Sequence, residues 1–186
     1  MKIIDINNKD SIQNAARVLK EGGILVFSTD TVYGIGCLMD KRAIRRLYKI
    51  KNRPLNQPTA ILCIQNLIPK MRSSTIKGDI KHDFYKGGVT LLISKNLFEM
   101  DIPQNLIKDN KVGIRLPKYR WLEKLINMAG PIVASSANKK GEPAPSSFGE
   151  IDKEILHQAD LAIKTDKKLP GLPSRVYDLE LKKYLR

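Results

Sequence analysis

Gly22-Gly23-Ile24-Leu25-Val26-Phe27-Ser28-Thr29-Asp30-Thr31-Val32-Tyr33-Gly34-Ile35-Gly36 is the stretch that decides the fold. Two glycines stop a helix, four apolar residues follow without a break, and the chain then opens into hydroxyls and more glycine. Glycine suits a helix C-terminus because it enters the left-handed region without a Cβ clash. The short unbroken run Ile24-Leu25-Val26-Phe27 predicts a strand covered on both faces. Upstream, Ile12, Ala15, Ala16, Val18 and Leu19 fall on one side of a helix over residues 11–21. Downstream, residues 28–36 predict a tight loop able to approach a ligand closely, with an ordinary turn as the alternative. A helix laid on a buried strand that ends in a polar loop is a unit of α/β proteins.

The alternation continues along the chain. Residues 2–6 predict a strand, and Asp40 an N-cap for a helix over 41–50 with Ile44, Leu47 and Tyr48 inward. Strands are predicted over 59–64, 89–94, 112–116 and 131–134, with closing strands over 161–163 and 175–179. Helices are predicted over 121–128, on Leu122, Leu125 and Ile126, and over 151–156. The whole predicts one α/β domain over residues 1–186, its twisted, partly parallel sheet covered by helices. Residues 65–88 and 138–150 are the least regular and are expected to carry the loops.

Composition narrows the function. The 186 residues suffice for a core without disulfides or metals, and 42% are apolar, an ordinary globular share. The formal charge of +14 draws polyanions such as ATP or RNA, although lysine-rich compositional drift accounts for such an excess equally well. Cys37 and Cys63 have no zinc-like spacing and read as reduced, small apolar residues. His82 and His157 are far apart in sequence and suggest neither a triad nor a metal site. No signal-peptide pattern or membrane-spanning apolar run is seen, so a cytoplasmic location is expected.

Five segments sit where a strand or helix ends: residues 28–36, Lys51-Asn52-Arg53-Pro54, Gly113-Ile114-Arg115-Leu116-Pro117, Ser135-Ser136-Ala137-Asn138 and Pro173-Ser174-Arg175-Val176-Tyr177-Asp178. Lys51 and Arg53 either complement a helix dipole or clamp phosphates. Arg115, in an otherwise apolar strand, requires a partner, and a ligand carboxylate or an internal Asp or Glu would serve. The absence of G-x-x-x-x-G-K-[ST] excludes a P-loop ATPase.

Taken together, these segments resemble the YrdC/TsaC family of threonylcarbamoyl-AMP synthases. Thr29-Asp30-Thr31-Val32-Tyr33-Gly34-Ile35-Gly36 is similar to the family's T-E-T-V-Y-G-L-G, Lys51-Asn52-Arg53-Pro54 to its K-x-R-P, and Ser136-Ala137-Asn138 to its S-x-N. The resemblance runs from about Ser11 to Arg186, in order and with similar spacing. It implies an open, twisted mixed sheet with a basic concave face. It implies that Lys51, Arg53, Ser136 and Asn138, and more loosely Arg186, contact ATP. It places Thr31, Arg115 and Ser174 around L-threonine.

The implied reaction joins L-threonine, bicarbonate and ATP into threonylcarbamoyl-adenylate and pyrophosphate, for modification of tRNA adenosine 37 through a downstream transferase complex. Lys51 and Arg53 would act electrostatically, with Mg²⁺ carried on ATP and no metal held by the protein. The nucleophile is part of the substrate, so no side-chain nucleophile is needed. Two departures stand out. Tyr85-Lys86-Gly87-Gly88 replaces W-P-G-P, and Arg175 replaces a threonine beside Ser174, where it would hold an anion or face solvent. Residues 85–88 and 138–147 are candidate lids. A non-catalytic relative that binds double-stranded RNA or tRNA is the main alternative. The carbamoyl-adenylate domain of hydrogenase-maturation proteins belongs to far longer chains.

Overall fold

The computed structural model describes residues 1–67, 76, 78–97 and 101–185. Arg186 and much of the irregular segment after residue 67 therefore lie outside the described residues. Five α-helices are described: α1 (Ser11–Lys20), α2 (Lys41–Ile50), α3 (Asp79–Tyr85), α4 (Arg120–Ala129) and α5 (Lys153–Gln158). The strands are β1 (Lys2–Asp5), β2 (Leu25–Ser28), β3 (Tyr33–Leu38), β4 (Ala60–Leu62), β5 (Val89–Ser94), β6 (Ile107–Lys108), β7 (Lys111–Arg115), β8 (Ile132–Ser136), β9 (Leu161–Lys164), β10 (Arg175–Asp178) and β11 (Lys183–Tyr184). They form one open mixed sheet in the order β1-β9-β2-β3-β8-β4-β7-β5-β10-β11, with β6 on β7. β9 is parallel to both β1 and β2, β4 to β7, and β10 to β5.

Helix ends follow local chemistry. The Asp40 carboxylate accepts from the N–H groups of Arg42 and Ala43 at 2.9 and 2.8 Å, and so caps α2 as its sequence predicts. At the other end Asn52 takes a positive φ of 47°. Its N–H donates to the Lys49 carbonyl, and the Arg53 N–H reaches back to that of Tyr48. This reversal satisfies two terminal carbonyls and sends Lys51 and Arg53 different ways. α3 escaped prediction because only Ile80 and Phe84 are buried on its seven residues, too few to establish a period.

The segment predicted as a loop over residues 28–36 differs most. β2 turns through residues 29–32 straight into β3, with Leu25 opposite Gly36 and Ser28 opposite Tyr33. Thr29 makes the turn: its Oγ1 donates to the Val32 carbonyl at 2.8 Å and accepts from the Thr31 and Val32 N–H groups. Gly36 is therefore a strand residue. A Cβ there would lie 2.6 Å from the Val133 carbonyl oxygen, so glycine permits the close approach of β8. β8 likewise runs through Ser136, so both serines expected in a loop end a strand.

Each sheet face buries an apolar layer. On one, Ile44, Leu47 and Tyr48 of α2, Phe84 of α3 and Ile155 of α5 pack over Ile35, Ile61, Ile114 and Val133. On the other, Ala15, Ala16 and Leu19 of α1 pack with Leu122, Leu125 and Ile126 of α4 over Leu25, Phe27, Ile132 and Ile163. Each fully buried Leu, Ile or Phe contributes about 1.5–3 kcal/mol, so the two layers dominate cohesion. On the second face Leu62, Arg115, Thr90 and Val176 stand opposite one another across β4, β7, β5 and β10, hence on one side of the sheet. This row lies beyond the layer under α1 and α4 and lines a cavity.

Candidate functional site

The cavity holds about 480 Å³, within the range of small-molecule sites. Small residues leave this space: Gly34, Ala60, Gly113 and Ala134 line it where larger side chains would fill it. Arg53, Arg115 and Glu142 are the charged residues on its wall among those described. Most of the +14 charge therefore lies outside this lining.

Arg115, Thr31 and Ser174, which the resemblance implies share one ligand, line the cavity together. Of the two partners open to Arg115, the internal one is present. Its Nη2 meets Asp30 Oδ1 at 2.5 Å and donates to Thr31 Oγ1 at 3.0 Å, while Nε donates to the Gly87 carbonyl at 3.0 Å. Burial pulls the Arg115 pKa below its usual value, and the Asp30 carboxylate opposes that shift. Beside it, Thr90 Oγ1 and Ser174 Oγ lie 2.9 Å apart.

Arg53, Ser136 and Asn138 also line the cavity. Arg53 is braced by its own loop, with Nε donating to the Gln57 carbonyl at 2.8 Å and Nη2 to that of Pro58 at 2.5 Å. Asn138 Nδ2 donates to the carbonyls of Lys139 and Glu142. Two buried side-chain oxygens have no hydrogen-bond partner among the described residues, Asn138 Oδ1 and Thr59 Oγ1, and both residues line this cavity. Such an orphan costs about 1–3 kcal/mol, which a ligand donor at Asn138 would relieve.

Lys51 departs from the phosphate-clamp expectation. It is 5% exposed and is not among the cavity-lining residues. Its Nζ donates to the Ser136 carbonyl at 2.5 Å and to that of Asn138. Burial first, then the neighbouring Arg53 cation, lowers its pKa to about 8. Lys51 thus braces the loop that presents Asn138. The reversal at Asn52 separates it from Arg53, which spacing alone did not reveal.

Arg175 also points away from the cavity. It pairs with Asp83 at 2.7 Å and stacks over the Tyr184 ring at 4.4 Å, while its neighbours Ser174, just before β10, and Val176 line the cavity. Neither lid candidate hangs loose. The Gly87 carbonyl is bound by Arg115, while Lys139 pairs with Asp152 and Glu154 and the Pro145 carbonyl accepts from the Tyr33 N–H. Cys37 and Cys63 are free and buried, which pushes each thiol up to about 12 and keeps it unreactive. Among the described residues no three His, Cys, Asp or Glu side chains gather as a metal site. Among them also, no helix is long and apolar enough to cross a membrane.

Sequence reading missed Thr59, Thr90 and Glu142 as lining residues. Thr90 left one signal, a lone hydroxyl in the otherwise apolar run Val89-Thr90-Leu91-Leu92-Ile93.

An open mixed sheet with one face partly uncovered, carrying a hydroxyl-rich cavity walled by two arginines and a glutamate, is an α/β arrangement with room for a small polar ligand. Comparison makes this specific. The model of the Sua5/YciO/YrdC family, described as "Telomere recombination", matches residues 17–186. The chain is 31% identical over 187 residues to a putative threonylcarbamoyl-AMP synthase of Methanocaldococcus jannaschii, covering 97% of this chain and 87% of that protein. It is 28% identical to the threonylcarbamoyl-AMP synthase of Pyrococcus abyssi, where it spans only 50% of the relative's length. The structure of P. abyssi Sua5 complexed with L-threonine superposes with a TM-score of 0.82 at 27% identity, covering 97% of this chain and 55% of that one. E. coli YciO shares the fold with a TM-score of 0.74 at 23% identity, covering 95% of this chain and 87% of that one. This chain belongs to the Sua5/YciO/YrdC family.

Proposed function

We propose that this protein is a threonylcarbamoyl-AMP synthase, with residues 1–186 working as one catalytic domain. The observation that carries the reading is the convergence of Thr31, Arg53, Arg115, Ser136, Asn138 and Ser174 on one cavity. The relatives' names supply the reaction. The amine of L-threonine and bicarbonate give a carbamate and water. A carbamate oxygen attacks the α-phosphorus of ATP, and pyrophosphate leaves with the electrons of the broken P–O bond.

The protein's part is alignment and charge neutralisation. Arg115 takes the amino-acid carboxylate, with Thr31 and Ser174 beside it. Arg53 holds phosphate oxygens, and Asn138 reads the nucleoside through its unpaired oxygen. Lys51 contributes by bracing Ser136 and Asn138. Mg²⁺ arrives on the ATP phosphates, which suit a hard cation that keeps several waters. Arg186 joins the nucleotide contacts suggested by resemblance. The adenylate then passes to a transferase acting on tRNA.

Product chromatography tests this reading. Purified protein is given ATP, Mg²⁺, L-threonine and bicarbonate, with controls omitting each co-substrate and a parallel Arg53→Ala run. An adenylate plus pyrophosphate requiring both co-substrates is expected. Folded protein that turns over no nucleotide overturns the synthase, and salt-dependent RNA binding by such protein would favour the RNA-binding alternative.

A further inference from the structure

Asp30 is set behind the cavity wall: Thr29 and Thr31 line the cavity on either side of it, and Asp30 is not among the lining residues. Its side chain is 13% exposed and spends both oxygens internally, Oδ1 on Arg115 Nη2 at 2.5 Å and Oδ2 on the Lys118 N–H at 3.2 Å. Arg115 is held from a second side by the Gly87 carbonyl on Nε, and by Thr31 on Nη2. Gly87 has a φ of +95°, and a Cβ there would sit 2.3 Å from Asp30 Oδ2 and 2.9 Å from the Lys118 nitrogen. The glycine therefore lets three segments, 30–31, 87 and 115–118, close around one guanidinium.

These bonds occupy Nε and Nη2. Nη1 has no hydrogen-bond partner among the described residues, although Arg115 is 6% exposed and lines the cavity. Held only by Thr31 and Gly87, the planar fork would have two neutral acceptors and no counter-charge. The carboxylate fixes it by a charge-assisted bond, the stronger and more directional kind.

We propose that Asp30 is a positioning residue for amino-acid recognition. With Gly87 it locks the Arg115 guanidinium so that Nη1 alone is left to receive the carboxylate of the substrate. This rests on the synthase reading above for the identity of that substrate. It extends that reading by assigning roles to two residues that touch no ligand. It also gives Tyr85-Lys86-Gly87-Gly88 a function: the carbonyl of Gly87, not a rigid proline, is what the site uses.

The test compares wild type with Asp30→Asn and Asp30→Glu by calorimetric titration of L-threonine and, separately, of ATP. Asparagine keeps the shape and removes the charge, so L-threonine affinity is expected to fall about tenfold with ATP affinity unchanged. Glutamate restores the charge and is expected to recover most of the loss. The Arg115 Nε–H resonance, protected in wild type by Gly87, is expected to exchange faster in Asp30→Asn. General damage would lower both affinities together and overturns the proposal. So does an Asp30→Asn protein with wild-type L-threonine affinity and an unchanged Nε–H. If wild type binds ATP but not L-threonine, the synthase reading fails and takes this assignment with it.

Discussion

Lys51 Nζ donates to the main-chain carbonyl of Ser136 at 2.5 Å, so the residue that follows α2 grips the end of β8. The two neighbouring cations of the Lys51-Asn52-Arg53-Pro54 segment consequently answer to different measurements. Lys51→Ala leaves two carbonyls without their donor and is expected to cost about 2 kcal/mol in urea unfolding. Arg53→Ala is expected to cost about 1 kcal/mol or less, since its bonds to the Gln57 and Pro58 carbonyls lie within its own loop. In product chromatography it should lower adenylate formation by about 100-fold or more through loss of the proposed phosphate contact. Equal stability loss in both variants would contradict this division.

Lys51 also predicts a pH dependence. Its ammonium is disfavoured by burial and by Arg53, so the folded protein releases this proton at about 8, whereas an unfolded lysine holds it to about 10.5. Between those values the unfolded chain binds more protons, so this residue makes stability rise with pH. Below about 8 both states are protonated and the contribution is flat. The stability gap between wild type and Lys51→Met is expected to widen from pH 8 to 10.5, by at most about 3.4 kcal/mol. A gap independent of pH would show that Nζ is not buried as a cation.

Gly113 sets the floor. A Cβ there would lie 3.4 Å from Thr90 Cγ2 and 3.5 Å from Ala60 Cα, which are ordinary contacts. Gly113→Ala is expected to leave stability within about 1 kcal/mol of wild type. Gly113→Val is well suited to a strand yet projects methyls into the cavity, and should weaken ligand affinity about tenfold or more. Calorimetry against melting temperature separates the two effects.

Gly87→Ala should be costly for a backbone reason. Its φ of +95° is unfavourable for alanine, and the new methyl would strike the Asp30 carboxylate. A loss of about 1–3 kcal/mol is expected on denaturant unfolding. Wild-type stability in that variant would mean that the Gly87 turn relaxes freely.

Much of the architecture was legible because the local patterns agree with the fold. The inward faces of α1, α2 and α4 follow from helical spacing, the Asp40 cap from its place before Lys41, and β5 and β7 from apolar runs. β3 was not legible, because Gly34 and Gly36 read as turn residues. Their role is set by β8 lying across them, a contact from about 100 residues away in sequence.

The candidate site divides the same way. Sequence by itself determined which residue types were present, in what order, and that their segments end strands or helices. It left Arg115 with two possible partners, and Lys51 and Arg53 with one shared expectation. Tertiary structure decided both. Asp30, in the turn between β2 and β3, reaches Arg115 at the end of β7 across the intervening strands β8 and β4, and the positive φ at Asn52 sends the two cations apart. The physical reason is that a buried charge takes whichever partner the packing brings within hydrogen-bond range, and that partner is chosen by how distant strands and turns pack, which no local pattern encodes.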